Sequence, residues 1–189
     1  MLKGFIRNLT VGLCLLSTAC ASDVPLSREP LSATAPTPAL GAGDRLRIVV
    51  FGETTLTGEY MVGPDGVLAL PLVGAVNVTD ASPNQLMALI VDELSPDYML
   101  DPQVTVDVVS YRPFFIFGEV TRAGQYPYVS GLSITQAIAT AGGYSYRANK
   151  KYAFIRRAYG QREESFEIRA DRPVWVMPGD TIRIGERYF

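Results

Sequence analysis

Carboxylates, tyrosines, lysines and arginines have to carry whatever chemistry this chain performs, because its 189 residues include no histidine. The commonest general base is therefore missing, and with it the imidazole triads and every histidine metal ligand. Both cysteines, Cys14 and Cys20, belong to an N-terminal leader or its cleavage point, so neither a disulfide framework nor a thiol nucleophile is expected. Glu53 with Glu59, and Glu163 with Glu164, are carboxylate pairs of the type that cleaves glycosides. Each lies where a strand edge or turn is expected, and solvated charge explains it more simply. Gly63, Gly66 and Gly74 make no phosphate loop, since no helix carrying Lys-Ser or Lys-Thr opens behind them. The expectation is a chain without catalytic residues, cofactor or metal.

A binding chemistry is available instead in "GGYSYRANKKY". Tyr144, Tyr146, Arg147, Lys150 and Lys151 put aromatic faces beside cations, which suits sugars or an anionic polymer. The alternative is an ordinary loop of packed tyrosines and solvated charges. These five residues are the candidate glycan contacts.

The elements that must present them begin beyond a leader. Residues 1–19 place Lys3 and Arg7 ahead of an apolar run from Leu9 to Leu16, followed by small residues, the pattern of a secretory signal. The run is short for a membrane span. "STAC" allows cleavage before Cys20, leaving a lipid-bearing cysteine; "ACA" at Ala19 to Ala21 allows ordinary cleavage. Lipidation at Cys20 is the favoured of the two, and acyl chains contribute about 0.8 kcal/mol per buried methylene. Without Lys3 and Arg7 the formal charge of −2 becomes −4, which argues against a nucleic-acid partner. Residues 20–39 are rich in proline and read as an extended tether.

From Leu40 the periodicity predicts two small α+β units of mixed sheet, each packing one short helix, with boundaries at 40–111 and 112–189. In the first, Leu46, Ile48 and Val50 alternate with Arg45, Arg47 and Val49 as a half-buried strand. A hairpin follows around Gly63-Pro64-Asp65-Gly66. Ser82, Pro83 and Gln85 open a helix with a capping box, and Leu86, Leu89, Ile90 and Leu94 form its apolar face. Val104, Val106 and Val108 make a further strand. The second unit runs through an apolar strand in "RPFFIFGEV" and a turn at Arg122-Ala123-Gly124. Ser133 and Gln136 then cap a helix carrying Ile134, Ala137, Ile138 and Ala141, stopped by Gly142-Gly143. Strands turning at Gly160-Gln161 follow, and a last strand in "VWVMPGDTIRI". "GDRLRI" at 43–48 and "GDTIRI" at 179–184 nearly repeat, as a turn feeding a strand; six residues are too few to claim a duplication.

Taken in order, "LGAGDRLRIVVFGE", "GEYMVGPDGVLALPLVGAVNV" and "DPQVTVDV", then "FIFGEVTRAGQYPY", "LSITQAIATAGGYS" and "MPGDTIRI", resemble the bacterial outer-membrane polysaccharide export proteins. The first three belong to their export domain and the rest to a soluble-ligand-binding β-grasp domain. The resemblance spans roughly Leu40 to Ile184. It implies a homo-oligomeric ring, lipid-anchored on the periplasmic face of the outer membrane, through which capsular polysaccharide or exopolysaccharide leaves. It also implies an inner-membrane polysaccharide co-polymerase that regulates chain length. No amphipathic helix follows the last strand at "GERYF", so the expected variant is a short one that works with a separate outer-membrane pore protein. A monomeric periplasmic glycan-binding or scaffolding lipoprotein is the rival, and a glycan-cleaving enzyme a more distant one.

Overall fold

A computed structural model describes residues 34–95 and 97–187. The secretory leader and Cys20 lie outside the described residues. Only the end of the proline-rich stretch is described, and it does not hang free: Pro38 is buried, and Ala35 lies 3.7 Å from where a side chain on Gly131 would stand.

Three antiparallel strands form the first sheet, in the order β2 (Glu53–Met61), β1 (Arg45–Val50), β5 (Val104–Ser110). On β1, Leu46, Ile48 and Val50 are buried while Arg45, Arg47 and Val49 are exposed, as the alternation requires. Helix α1 (Pro83–Leu94) packs along β5 and buries Leu86, Ile90 and Leu94. Its capping box is formed: Ser82 Oγ accepts from Gln85 N at 3.2 Å, and Gln85 Oε1 accepts from Ser82 N at 2.7 Å. Leu89, expected in the core, is 42% exposed. The buried stripe follows i, i+4, i+8 from Leu86, and Leu89 falls on its solvent flank.

The expected hairpin is also corrected. The turn at Gly63 is real, with Gly66 N–H donating to Gly63 O at 3.0 Å, but the strands on either side of it part company. β2 pairs with β1, whereas β3 (Val67–Leu70) turns back at Pro71-Leu72-Val73 to pair with β4 (Gly74–Asn77) in a sheet of its own.

The second sheet has five strands, in the order β7 (Gly124–Tyr126), β6 (Phe114–Gly118), β10 (Thr181–Glu186), β8 (Ala148–Arg156), β9 (Glu164–Glu167). Its first and last strands, β6 and β10, are parallel neighbours at the centre, flanked by two antiparallel hairpins. This is the β-grasp arrangement. Helix α2 (Ile134–Thr140) lies on the inner face, where Ile134, Ala137 and Ile138 join Phe114, Ile116, Ile155 and Ile182 in one core. Ile134 N–H donates to Val174 O at 2.8 Å, so the segment before β10 pins the start of the helix. Leu40 to Val106 form a separate core, and Tyr111 packs against both.

Candidate functional site

Two places in the fold combine charged side chains with a cavity, and the first is the junction between the cores. Gly41 to Asp44 and Met177 to Asp180 make the same turn. In each, the Asp N–H donates to the carbonyl three residues back at 3.1 Å, and the Asp Oδ2 accepts from that residue's N–H, at 2.9 Å for Gly41 and 2.7 Å for Met177. The third residue is Gly43 at φ 89° or Gly179 at φ 80°, the positive φ that such a turn needs. Asp44 and Asp180 are both fully buried.

Each carboxylate then takes one arginine. Arg112 donates to Asp44 through its backbone N–H at 2.7 Å and Nη1 at 2.9 Å, and Arg157 Nη1 donates to Asp180 at 2.7 Å. Arg112 comes from the link between the sheets and lies between the two turns. Its Cβ is 3.8 Å from where a Gly43 Cβ would be, and its Nε 3.1 Å from where a Gly179 Cβ would be. Tyr159 covers its guanidinium at 5.6 Å. A cavity of about 320 Å³ opens beside Arg112, Arg157, Tyr159 and Pro178. Burial pushes Asp180 up to about 6 against the pull of Arg157 and the Met177 N–H, and burial likewise raises Asp44 against Arg112. Asp180 Oδ1 and Arg112 Nε are buried with no hydrogen-bond partner, so this junction fixes the two units together without fully satisfying its own polar groups.

The second place holds the sequence-predicted residues. β8 begins at Ala148 beside the end of β10, where Glu186 pairs with Ala148 and Arg187 N–H donates to Arg147 O at 2.9 Å. Asn149 Oδ1 accepts from Lys151 N at 2.9 Å, which sets the first turn of the strand. The result is a concavity of about 470 Å³ lined by Tyr146, Asn149, Lys150, Lys151 and Arg187, among others.

Of the five candidates, Tyr146, Lys150 and Lys151 are brought together there. Tyr144 stands behind them, half-buried, with Lys150 Nζ 5.8 Å from its ring centre; burial raises its phenol. Arg147 is engaged elsewhere, by Glu186. Arg187 and Asn149 were missed by sequence reasoning. Asn149 sits among the cations and was legible as a turn former; Arg187 arrives through strand register, which no local pattern announces.

The carboxylate pairs do not form sites. Glu59 bonds Arg47 at 2.8 Å, Glu53 accepts from Thr55 Oγ1 at 2.6 Å, and Glu163 is held by Arg183 at 2.6 Å, which keeps its carboxyl below the usual range. Among the described residues no three His, Cys, Asp or Glu side chains gather as a metal site.

The fold and its charged places thus define a small two-unit α+β protein, its second unit a β-grasp, equipped with a concave basic surface. Residues 32–109 match the family described as polysaccharide biosynthesis/export protein. That match lies on the first of the two units, which therefore carries the family's polysaccharide export region. The exopolysaccharide production protein ExoF of Rhizobium meliloti (strain 1021) is 30% identical over 172 residues, covering 85% of this chain and 39% of that protein. The EPS I polysaccharide export outer membrane protein EpsA of Ralstonia nicotianae is 26% identical over 165 residues, or 80% and 42% of the two chains. The polysialic acid transport protein KpsD of Escherichia coli is 30% identical over 106 residues, or 55% and 19%. The chain spans less than half the length of each of these relatives.

Proposed function

We propose that this chain is a non-catalytic component of a polysaccharide export conduit. Copies of it assemble as a ring on the periplasmic face of the outer membrane, anchored by lipid at Cys20, and guide capsular polysaccharide or exopolysaccharide outward. An inner-membrane co-polymerase docks beneath the ring, and a separate outer-membrane pore completes the passage.

The observation that carries the proposal is the joining, in one chain, of the export-family match over residues 32–109 to a β-grasp sheet, with Arg112 of the link bonded to Asp44. Such contacts suit a conduit, because subunits that hinge freely do not close a ring of fixed diameter. Its outer sheet face supports assembly as well. Phe115 and Phe117 on β6 stay 42% and 40% exposed, beside Arg183 stacked 4.1 Å over Phe154. Among the described residues no helix is long and apolar enough to cross a membrane.

Deleting the gene and locating the polymer tests the export role: periplasmic build-up is expected, and normal secretion would remove the proposal. Light scattering on detergent-purified protein tests the ring. A monomer at high concentration, with and without the co-polymerase, would favour a solitary glycan-binding lipoprotein instead. Mass spectrometry is expected to find acyl chains on Cys20 and none in Cys20→Ser.

A further inference from the structure

The concavity at the start of β8 is built for negative charge. Lys150, Lys151 and Arg187 supply cations to its lining, and the lining contains no carboxylate. Two acids flanking it are already taken: Glu186 pairs with Arg147, and Glu119 accepts from Ser145 Oγ. Lys150 and Lys151 form no ion pair among the described residues. This basic hollow sits on a chain whose formal net charge is −2, so its sign is local and opposes that of the whole.

Beside the cations stands Tyr146, 84% exposed. A tyrosine that open gains nothing from burial, but its face is available to the C–H side of a sugar ring, and Asn149 adds an amide at the same rim. The volume of about 470 Å³ exceeds what a single inorganic anion fills and falls in the usual range of small-molecule sites. Cations plus an exposed aromatic plus a concave floor is a chemistry for an acidic sugar. A flat basic surface would serve an anionic membrane better, since headgroups spread over a plane.

We infer that this hollow binds a carboxylate-bearing stretch of polysaccharide. Lys150, Lys151 and Arg187 hold the carboxylate, and Tyr146 lies against the ring that carries it. The inference rests on the export role proposed above and narrows it to acidic polymers, with the β-grasp unit as the part that recognises them.

The test is calorimetric titration of the full mature chain with an oligogalacturonate of about six units and with maltohexaose, at low salt and at about 0.5 M salt. Binding of the uronate, weakened by salt, with no binding of the neutral glucan, is expected. Lys150→Gln with Lys151→Gln is expected to weaken it about five- to tenfold. Tyr146→Ala and Arg187→Gln should each weaken it severalfold, and both keep the proposal testable if the double variant melts early. Equal binding of the two glycans, no binding of either, or variants that bind like wild type would overturn it. So would equal avidity for phosphatidylglycerol vesicles, lost in the same variants. Failure here with periplasmic polymer build-up in the deletion strain would leave the export role standing and remove only the acidic specificity.

Discussion

Asp44 and Asp180 are the same residue of the same turn, one opening the first sheet and one opening the last strand of the second. Each closes its turn by accepting from the N–H at the turn's first position, and each carboxylate is fully buried against an arginine. The near repeat of "GDRLRI" and "GDTIRI" is therefore a repeat of geometry, and Arg112 lies between its two copies.

Removing Arg112 should uncouple the units. Arg112→Ala leaves Asp44 buried without its charge partner and strips one of its three hydrogen bonds, the one from Nη1. The backbone N–H of residue 112 survives the substitution, so the loss falls on the guanidinium, at about 3 kcal/mol. Urea unfolding should show the loss, with the transition broadening if the two cores then melt apart. An unchanged midpoint would refute the junction's role.

A pH dependence follows from Asp180, whose carboxyl burial pushes up to about 6. The unfolded chain releases that proton near the ordinary value of about 3.9. Between the two the folded state holds the extra proton, so this group's contribution is fully present below about pH 4 and is lost as pH rises through about 6. Asp180→Asn has no such loss. Its stability relative to wild type should therefore increase from pH 4 to pH 7, by up to about 3 kcal/mol. Denaturation at three pH values checks it, and a constant difference would contradict the buried ionisation.

The helix faces make a contrast. Leu86→Ala and Ile138→Ala remove fully packed side chains and should each cost about 2 to 5 kcal/mol. Leu89→Ala, on the exposed flank of the same helix as Leu86, should fall within about 0.5 kcal/mol of wild type. Thermal melts of the three variants separate these outcomes.

Glycine gives a second contrast. Gly118, at φ 86°, lies so close to Ile184 that a Cβ would overlap its carbonyl oxygen, while Gly74, at φ 88°, has nothing within 4 Å. Gly118→Ala adds a clash at the β6–β10 contact to the backbone strain and should cost more than about 2 kcal/mol; Gly74→Ala carries the strain alone, about 1 kcal/mol. Equal melting temperatures would show that the close approach of β6 and β10 is not rigid.

Much of the architecture is legible in single residues. Ser82 with Gln85 and Ser133 with Gln136 announce both helices, because a capping box is a local device whose partners lie three positions apart. The turn at Pro71-Leu72-Val73 is not legible: it puts Leu72 at φ 63°, where turn composition favours Gly or Asn, so the segment reads as one strand instead of two. Leu89 misleads because an apolar residue one step from the stripe looks like part of it. At the basic hollow, Tyr146, Lys150 and Lys151 are visible as a cluster, whereas Arg187 joins them only through the pairing of β10 with β8. The buried acids escape for a different reason. Gly-Asp is ordinary turn chemistry, and only the packing of one unit on the other converts those aspartates from solvated caps into interior charges.

Placing β10 between β6 and β8 also sets an order of events during biogenesis. Until Thr181 to Glu186 have left the ribosome and crossed any translocation channel, β6–β7 and β8–β9 are two hairpins whose strands do not pair with each other. Hairpins alone are marginal in water, so the β-grasp half stays open to proteases and chaperones for almost the whole of its synthesis. It closes in one late step, when the final strand slots into the gap.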